Sequence, residues 1–176
     1  WHKKMEYQHG GDVYTYEGML DFSANINPLG AGSAVIEAAH GAIERITQYP
    51  DAGCRRLRRA LAKRLEVDED FLIFGNGGAE IIFALVMAER PKKALLLAPS
   101  FTEYRQALLA VDCEIILFPL KESSGFELRE EYLESLTEDI DMIFLCSPSN
   151  PVGNVISQTL LLKILERCKE KEIRMV

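Results

Sequence analysis

The spacing of apolar positions changes near residue 70. Before it, residues 1–30 are broken by Gly10, Gly11, Gly18, Pro28 and Gly30 and read as loop. Val35, Ile36, Ala39, Ile43 and Ile46 then recur at helical spacing, predicting a helix from Ser33 at the N-cap to about Thr47 that buries them. The turn Tyr49-Pro50-Asp51-Ala52-Gly53 closes it, and Leu57, Leu61 and Leu65 stripe a second helix over about 55–65. Beyond residue 70, short continuous apolar runs alternate with helical patterns. Phe71-Leu72-Ile73-Phe74, 94–98, 114–120 and 141–146 read as strands, and 173–176 as the first half of another. Helical patterns occupy 79–89, 101–111, 127–136 and a stretch from Ser157 carrying Leu160, Leu161, Ile164, Leu165 and Cys168. Strands apolar on both sides belong in a sheet covered on both faces. The predicted class is therefore α/β, a mostly parallel sheet with helices on both faces, plus an N-terminal arm and helix.

Composition narrows the partners. The chain has 176 residues, 20 basic against 27 acidic side chains, a net charge of −7 and 48% apolar residues. Such an acidic balance argues against a nucleic-acid or anionic-membrane surface. The basic run Arg55, Arg56, Arg58, Arg59, Lys63 and Arg64 lies on one amphipathic helix and reads as a solvated or subunit-facing surface. No apolar run is long enough to span a bilayer. Cys54, Cys113, Cys146 and Cys168 form no CxxC pair, so no metal site is expected. Length alone suits one domain, and the expectation is a soluble, reduced, cytoplasmic protein.

Ligands of open α/β sheets bind beyond the carboxyl ends of the strands, where three loops carry candidate chemistry. Gly75-Asn76-Gly77-Gly78-Ala79-Glu80 opens a helix. Its backbone N–H groups suit an anion, or it is an ordinary glycine turn. It matches neither the dinucleotide fingerprint nor a Walker A loop, since Glu80 stands sixth and no Lys follows. In Ser100-Phe101-Thr102-Glu103-Tyr104, the Tyr104 ring either stacks on a planar ligand or packs into the core. In Ser147-Pro148-Ser149-Asn150-Pro151-Val152-Gly153, two prolines bracket one amide and fix its direction. An anion cradle, a flat aromatic and an oriented amide together suit a planar, phosphorylated ligand.

GNGGAE, PSFTEY and SPSNPVG, in that order, resemble the pyridoxal-phosphate enzymes of the aspartate-aminotransferase fold. HGG, DFSANINPLG, YPD and FLCSPSNP narrow the likeness to threonine-phosphate decarboxylases, close to histidinol-phosphate aminotransferases. In Asn25-Ile26-Asn27-Pro28, the aminotransferase branch usually has Glu where Ile26 stands, which leans toward the decarboxylases. The resemblance implies pyridoxal 5′-phosphate as cofactor, with Gly78 and Ala79 at its phosphate, Tyr104 on its ring and Asn150 at its phenolic oxygen. Tyr49 would reach the cofactor phosphate of the neighbouring subunit of a homodimer. His9 and Asn25 would bind the phosphate of a small amino-acid phosphate substrate. Residues 1–48 would be an arm and helix, and residues 49–176 the N-terminal part of the cofactor-binding domain.

The implied activity is decarboxylation of L-threonine O-3-phosphate, of the cobalamin-pathway type. The alternatives are transamination of histidinol phosphate, or a truncated, non-catalytic module that only holds a phosphate ligand. The family's Schiff-base lysine and its pyridine-nitrogen aspartate match no residue of this sequence, so no catalytic residue is assigned. The chain is expected to break off shortly before that aspartate, to bind cofactor weakly without a covalent bond, and to turn nothing over.

Overall fold

Lys93–Ala98 forms an inner strand, β1, and its four middle residues Ala94, Leu95, Leu96 and Leu97 are all buried. In the computed structural model, residues 10–176 are described. They divide into two compact units, one ending at Ile73 and the other running from Phe74 to Val176. In the second unit β1 lies between β2 (Glu114–Pro119) and β3 (Met142–Phe144), and β3 pairs in turn with β4 (Arg174–Met175). Every neighbouring pair is parallel.

Strand alternation divides the core into two layers. Leu95, Leu97 and Ile143 join Tyr132, Leu136, Leu160, Ile164 and Cys168, the last three from helix α5 (Gln158–Glu170). On the opposite face Ala94, Leu96, Met142 and Phe144 meet Val86 of α3 (Gly77–Glu89) and Ala107 and Leu108 of α4 (Thr102–Leu109). A sheet sandwiched in this way explains why its strands read as continuous apolar runs.

Polar groups set the register at the strand starts. The Asp141 carboxylate accepts the N–H groups of Lys92 and Lys93 at 2.7 and 2.8 Å, fastening β1 beside β3. The Lys93 ammonium bridges Asp139 at 2.9 Å and Glu114 at 3.4 Å. Ser157 caps α5, accepting from the Leu160 N–H at 3.3 Å.

The first unit holds α1 (Ser33–Ile43) and α2 (Arg55–Leu65). Gly32, not Ser33, is the N-cap of α1, and the helix ends four residues early in successive tight turns closed by Ala42 and Arg45 carbonyls. The expected burial of its stripe is corrected: Val35, Ile36, Ile43 and Ile46 are all exposed. A helix stripe is buried only where a second layer covers it, and none does among the described residues of this unit. Asp51 organises the start of α2, accepting from the N–H of Gly53 at 3.2 Å and of Arg55 at 3.0 Å. Its side-chain bond to the Arg55 guanidinium holds the carboxyl below the ordinary carboxylate value. Arg58 donates to the Glu69 carbonyl at 2.8 Å and to the Leu72 carbonyl, tying α2 to the segment that follows it.

Two further expectations are corrected. Residues 71–74 form no strand, because Asp68 accepts from the Asp70 N–H at 2.9 Å and draws Glu69–Phe71 into a 3₁₀ turn. Residues 127–136 form only a 3₁₀ turn over Glu130–Ser135, with no side-chain cap at Arg129. Burial of Tyr132 and Leu136 in one core layer fixes that segment without a full helix.

Tyr132 is fully buried and its hydroxyl has no hydrogen-bond partner among the described residues. A stranded buried hydroxyl is destabilising, so Tyr132→Phe should raise unfolding free energy by about 1 kcal/mol in a urea titration. A loss of about 1 kcal/mol or more, the size of one hydrogen bond, would mean the hydroxyl is in fact satisfied.

Alkaline stability follows from two buried thiols and one half-buried phenol. Burial pushes the Cys113 and Cys168 thiols up to about 11 and the Tyr104 phenol up to about 12, from 9.0 and 10.0. Between each pair of values the folded protein binds more protons than the unfolded chain, so stability falls as pH rises. The contribution is intact below about pH 9 and is lost through about pH 11 to 12. The urea midpoint should decline across that window, and a midpoint flat through it would contradict the burial of these groups.

Candidate functional site

Three residues join α3 to β1, so the two elements run antiparallel. The 13 residues of α3 and the 6 of β1 each span roughly 20 Å, which brings the start of α3 level with the carboxyl end of β1. The α4 start and the loop after β3 leave from that same edge. Gly78, Ala79, Tyr104 and Asn150 are therefore gathered at one edge of the second unit's sheet.

At the α3 start, Gly77 adopts φ +84°, a conformation other residues rarely take. A Cβ built on Gly77 or Gly78 would enter open space, so the two glycines leave room in front of the first-turn N–H groups. Those groups receive no side-chain cap: Asn76, at the N-cap, makes no such bond. Its backbone N–H and its Nδ2, at 2.9 Å, are instead donated to Glu80 Oε2. The result is a set of uncapped donors on the positive end of a helix dipole.

Tyr104 stands in the first turn of α4. Its ring stacks on Phe144 with centroids 4.6 Å apart and planes 17° from parallel, and meets Phe101 edge-on at 5.5 Å. Phe144, at the end of β3, is buried and forms the floor, while Tyr104 itself is only half-buried. Burial raises the phenol to about 12, with Cys146 and Glu103 adding in the same direction, so it remains a protonated donor at neutral pH. Glu103 beside it is buried and accepts from the Thr102 hydroxyl at 3.0 Å.

The loop after β3 is held from three sides. Ser149 N–H donates to the Asn154 carbonyl at 2.7 Å, and Gly153 N–H to the Ser149 carbonyl at 2.6 Å. Ser147 Oγ accepts from the Ile156 N–H at 3.1 Å, and Asn154 Nδ2 reaches the Gly125 carbonyl at 2.6 Å. Asn150 sits half-buried at the tip, and its amide has no hydrogen-bond partner among the described residues.

The donor set fits a planar, phosphorylated group: free N–H groups at a helix start, a supported flat ring, and an unengaged amide in a fixed loop. Tyr49 and Asn25 belong to the first unit, where both are exposed. His9 lies outside the described residues. Among the described residues no group of His, Cys, Asp and Glu is placed to hold a metal ion, and no helix is long and apolar enough to cross a membrane.

Fold and edge together define an α/β protein with an uncapped glycine helix start, a supported aromatic ring and a free loop amide at the carboxyl end of a parallel sheet. The chain belongs to the aminotransferase class I and II family, whose model matches residues 17–176. That family is pyridoxal-phosphate-dependent. Over 176 aligned residues the chain is 38% identical to threonine-phosphate decarboxylase of Salmonella typhimurium, covering 96% of this chain and 48% of that protein. It is 34% identical to histidinol-phosphate aminotransferase of Bacillus subtilis subsp. natto, covering 88% and 43%. The crystal structure of histidinol-phosphate aminotransferase from Clostridium acetobutylicum matches with a TM-score of 0.79 at 27% identity, covering 89% and 46%. The chain thus spans about half the length of the curated relatives it matches.

Phe144, Glu80 and Glu103 were not singled out by their sequence context. Phe144 reads as one more apolar strand residue, and Glu80 only as a break in the dinucleotide fingerprint. Glu80 stands four residues after the N-cap Asn76, one position beyond the capping-box carboxylate, so that sequence rule does not find it.

Proposed function

We propose that these residues hold the cofactor of a pyridoxal-phosphate-dependent enzyme acting on an amino-acid phosphate, and that its reaction is decarboxylation of L-threonine O-3-phosphate. The observation carrying the cofactor assignment is the uncapped glycine start of α3 at the same edge as the Tyr104 ring and the Asn150 amide. When bound, pyridoxal phosphate supplies an electron sink for cleaving a bond at the substrate's amino-bearing carbon.

Gly78 and Ala79 donate backbone N–H groups to the cofactor phosphate, where the helix dipole favours its charge. Tyr104, backed by Phe144, offers the ring a flat surface and keeps water from that side. The Asn150 amide donates to the phenolic oxygen and sets the ring's rotation in its plane. Tyr49 serves the cofactor phosphate of a second copy of the chain. Asn25 and His9, both able to donate to an anion, bind the substrate's phosphate. Exposure of Val35, Ile36, Ile43 and Ile46 in the first unit supports a homodimer that covers this stripe. Residues 1–48 serve as arm and helix, and residues 49–176 as part of the cofactor domain. Four free cysteines support a cytoplasmic setting.

Ile26 supports the decarboxylase, since the aminotransferase branch usually has Glu there. The TM-score of 0.79 with a histidinol-phosphate aminotransferase favours transamination as the second reading. A chain of the relatives' full length carrying these residues separates them. Carbon dioxide release from L-threonine O-3-phosphate without a 2-oxo acid supports decarboxylation, and obligatory consumption of the oxo acid overturns it. Phosphate binding with no affinity for pyridoxal phosphate would indicate a non-catalytic module.

A further inference from the structure

We propose that Glu80 is a positioning residue that keeps the phosphate donors of α3 free by holding Asn76 away from them. Asn is among the strongest N-cap residues, and a capping side chain accepts from the second or third N–H of its helix. With Asn76 at the N-cap, those groups are Gly78 and Ala79, the two assigned to the cofactor phosphate. The backbone also suits this competitor. Gly77 has φ +84°, near the +80° that the second central residue of a type II turn requires, so the backbone after Asn76 already bends as an Asx turn needs at that position.

Asn76 nevertheless makes no capping bond. Glu80 Oε2 takes both its backbone N–H and its Nδ2, the latter at 2.9 Å. The latch is closely packed, since a Cβ on Gly75 would come within 2.9 Å of Glu80 Oε2 and 3.0 Å of Ile81 Cγ1. Glu80 thus occupies both donors of Asn76 and leaves the first-turn N–H groups of the helix uncapped.

The role of Glu80 rests on the assignment of Gly78 and Ala79 to the phosphate, and the test separates the two. Glu80→Gln keeps an acceptor for Asn76, and Glu80→Ala removes it. Both lose the charge, so their difference isolates the latch. In the chain without ligand, Glu80→Ala should slow hydrogen exchange at the Gly78 or Ala79 amide relative to Glu80→Gln, because Asn76 then caps the helix. Pyridoxal 5′-phosphate, and inorganic phosphate as a second probe, should bind Glu80→Ala on the order of fivefold more weakly than Glu80→Gln, the worth of a typical cap. Adding Asn76→Ala to both variants should abolish the difference.

Equal exchange in the two variants, or an affinity difference that survives Asn76→Ala, overturns the latch. If neither probe binds the unmodified chain, the phosphate assignment fails, while the exchange comparison still decides whether Glu80 restrains Asn76. Retained amide dispersion at Val86 and Leu96, both buried in the core, shows that each variant is folded.

Discussion

Tyr104→Ala is expected to weaken pyridoxal 5′-phosphate binding by about tenfold or more, whereas Tyr104→Phe leaves it within about twofold. The alanine variant removes the flat surface offered to the cofactor and also strips Phe144 of the ring now stacked on it at 4.6 Å. Phe144 would then be uncovered at the very edge where the ligand binds. The phenylalanine variant keeps both stacks and loses only the hydroxyl. Fluorescence titration of the two variants decides between a stacking role and a purely structural one. Comparable losses in both would assign the effect to the hydroxyl and overturn the stacking role.

The largest expected stability effect is at the sheet centre. Leu96→Ala should destabilise the protein by about 2–5 kcal/mol, the range for a buried leucine whose neighbours cannot collapse into the space. Leu96 is 1% exposed on the inner strand β1, with Val86 and Leu108 packed into the same cluster from α3 and α4. Those helices are anchored on a sheet covered from its other face as well, so little relaxation is available. Leu117, on edge strand β2, is 53% exposed, and Leu117→Ala should change stability by under about 1 kcal/mol. Urea unfolding of both variants provides the check, and equal losses would mean that β1 is not the buried centre.

Much of the second unit was legible in the sequence because its strands are continuous apolar runs separated by helices of ordinary length. The 94–98 and 114–120 runs become β1 and β2 with shifts of one residue at each end or less. Where the pattern misled, a local polar contact or a missing layer was responsible. Phe71-Leu72-Ile73-Phe74 looks like a strand, but the Asp68 carboxylate closes a turn across its beginning. The α1 stripe has the right period for burial, yet period does not say whether this chain supplies the covering surface.

The candidate site divides in the same way. Loop positions that carry Gly78, Ala79, Tyr104 and Asn150 follow from the order of strands and helices, since loops at the carboxyl edge of a parallel sheet converge. What side chains do to one another there was not legible. That Phe144 backs Tyr104 depends on the register of β3 against β1, and that Glu80 occupies Asn76 depends on the local fold of the α3 start.

The central claim is that the carboxyl edge of this sheet, through named groups, receives pyridoxal phosphate. Titrating pyridoxal 5′-phosphate into the 176-residue chain while following amide resonances tests it most directly. Saturable shifts at the Gly78 and Ala79 backbone amides and at the Asn150 side-chain amide, with no absorption band of a lysine-bound cofactor, are the predicted result. Saturation with those three signals unmoved, or a lysine-bound band, would contradict it.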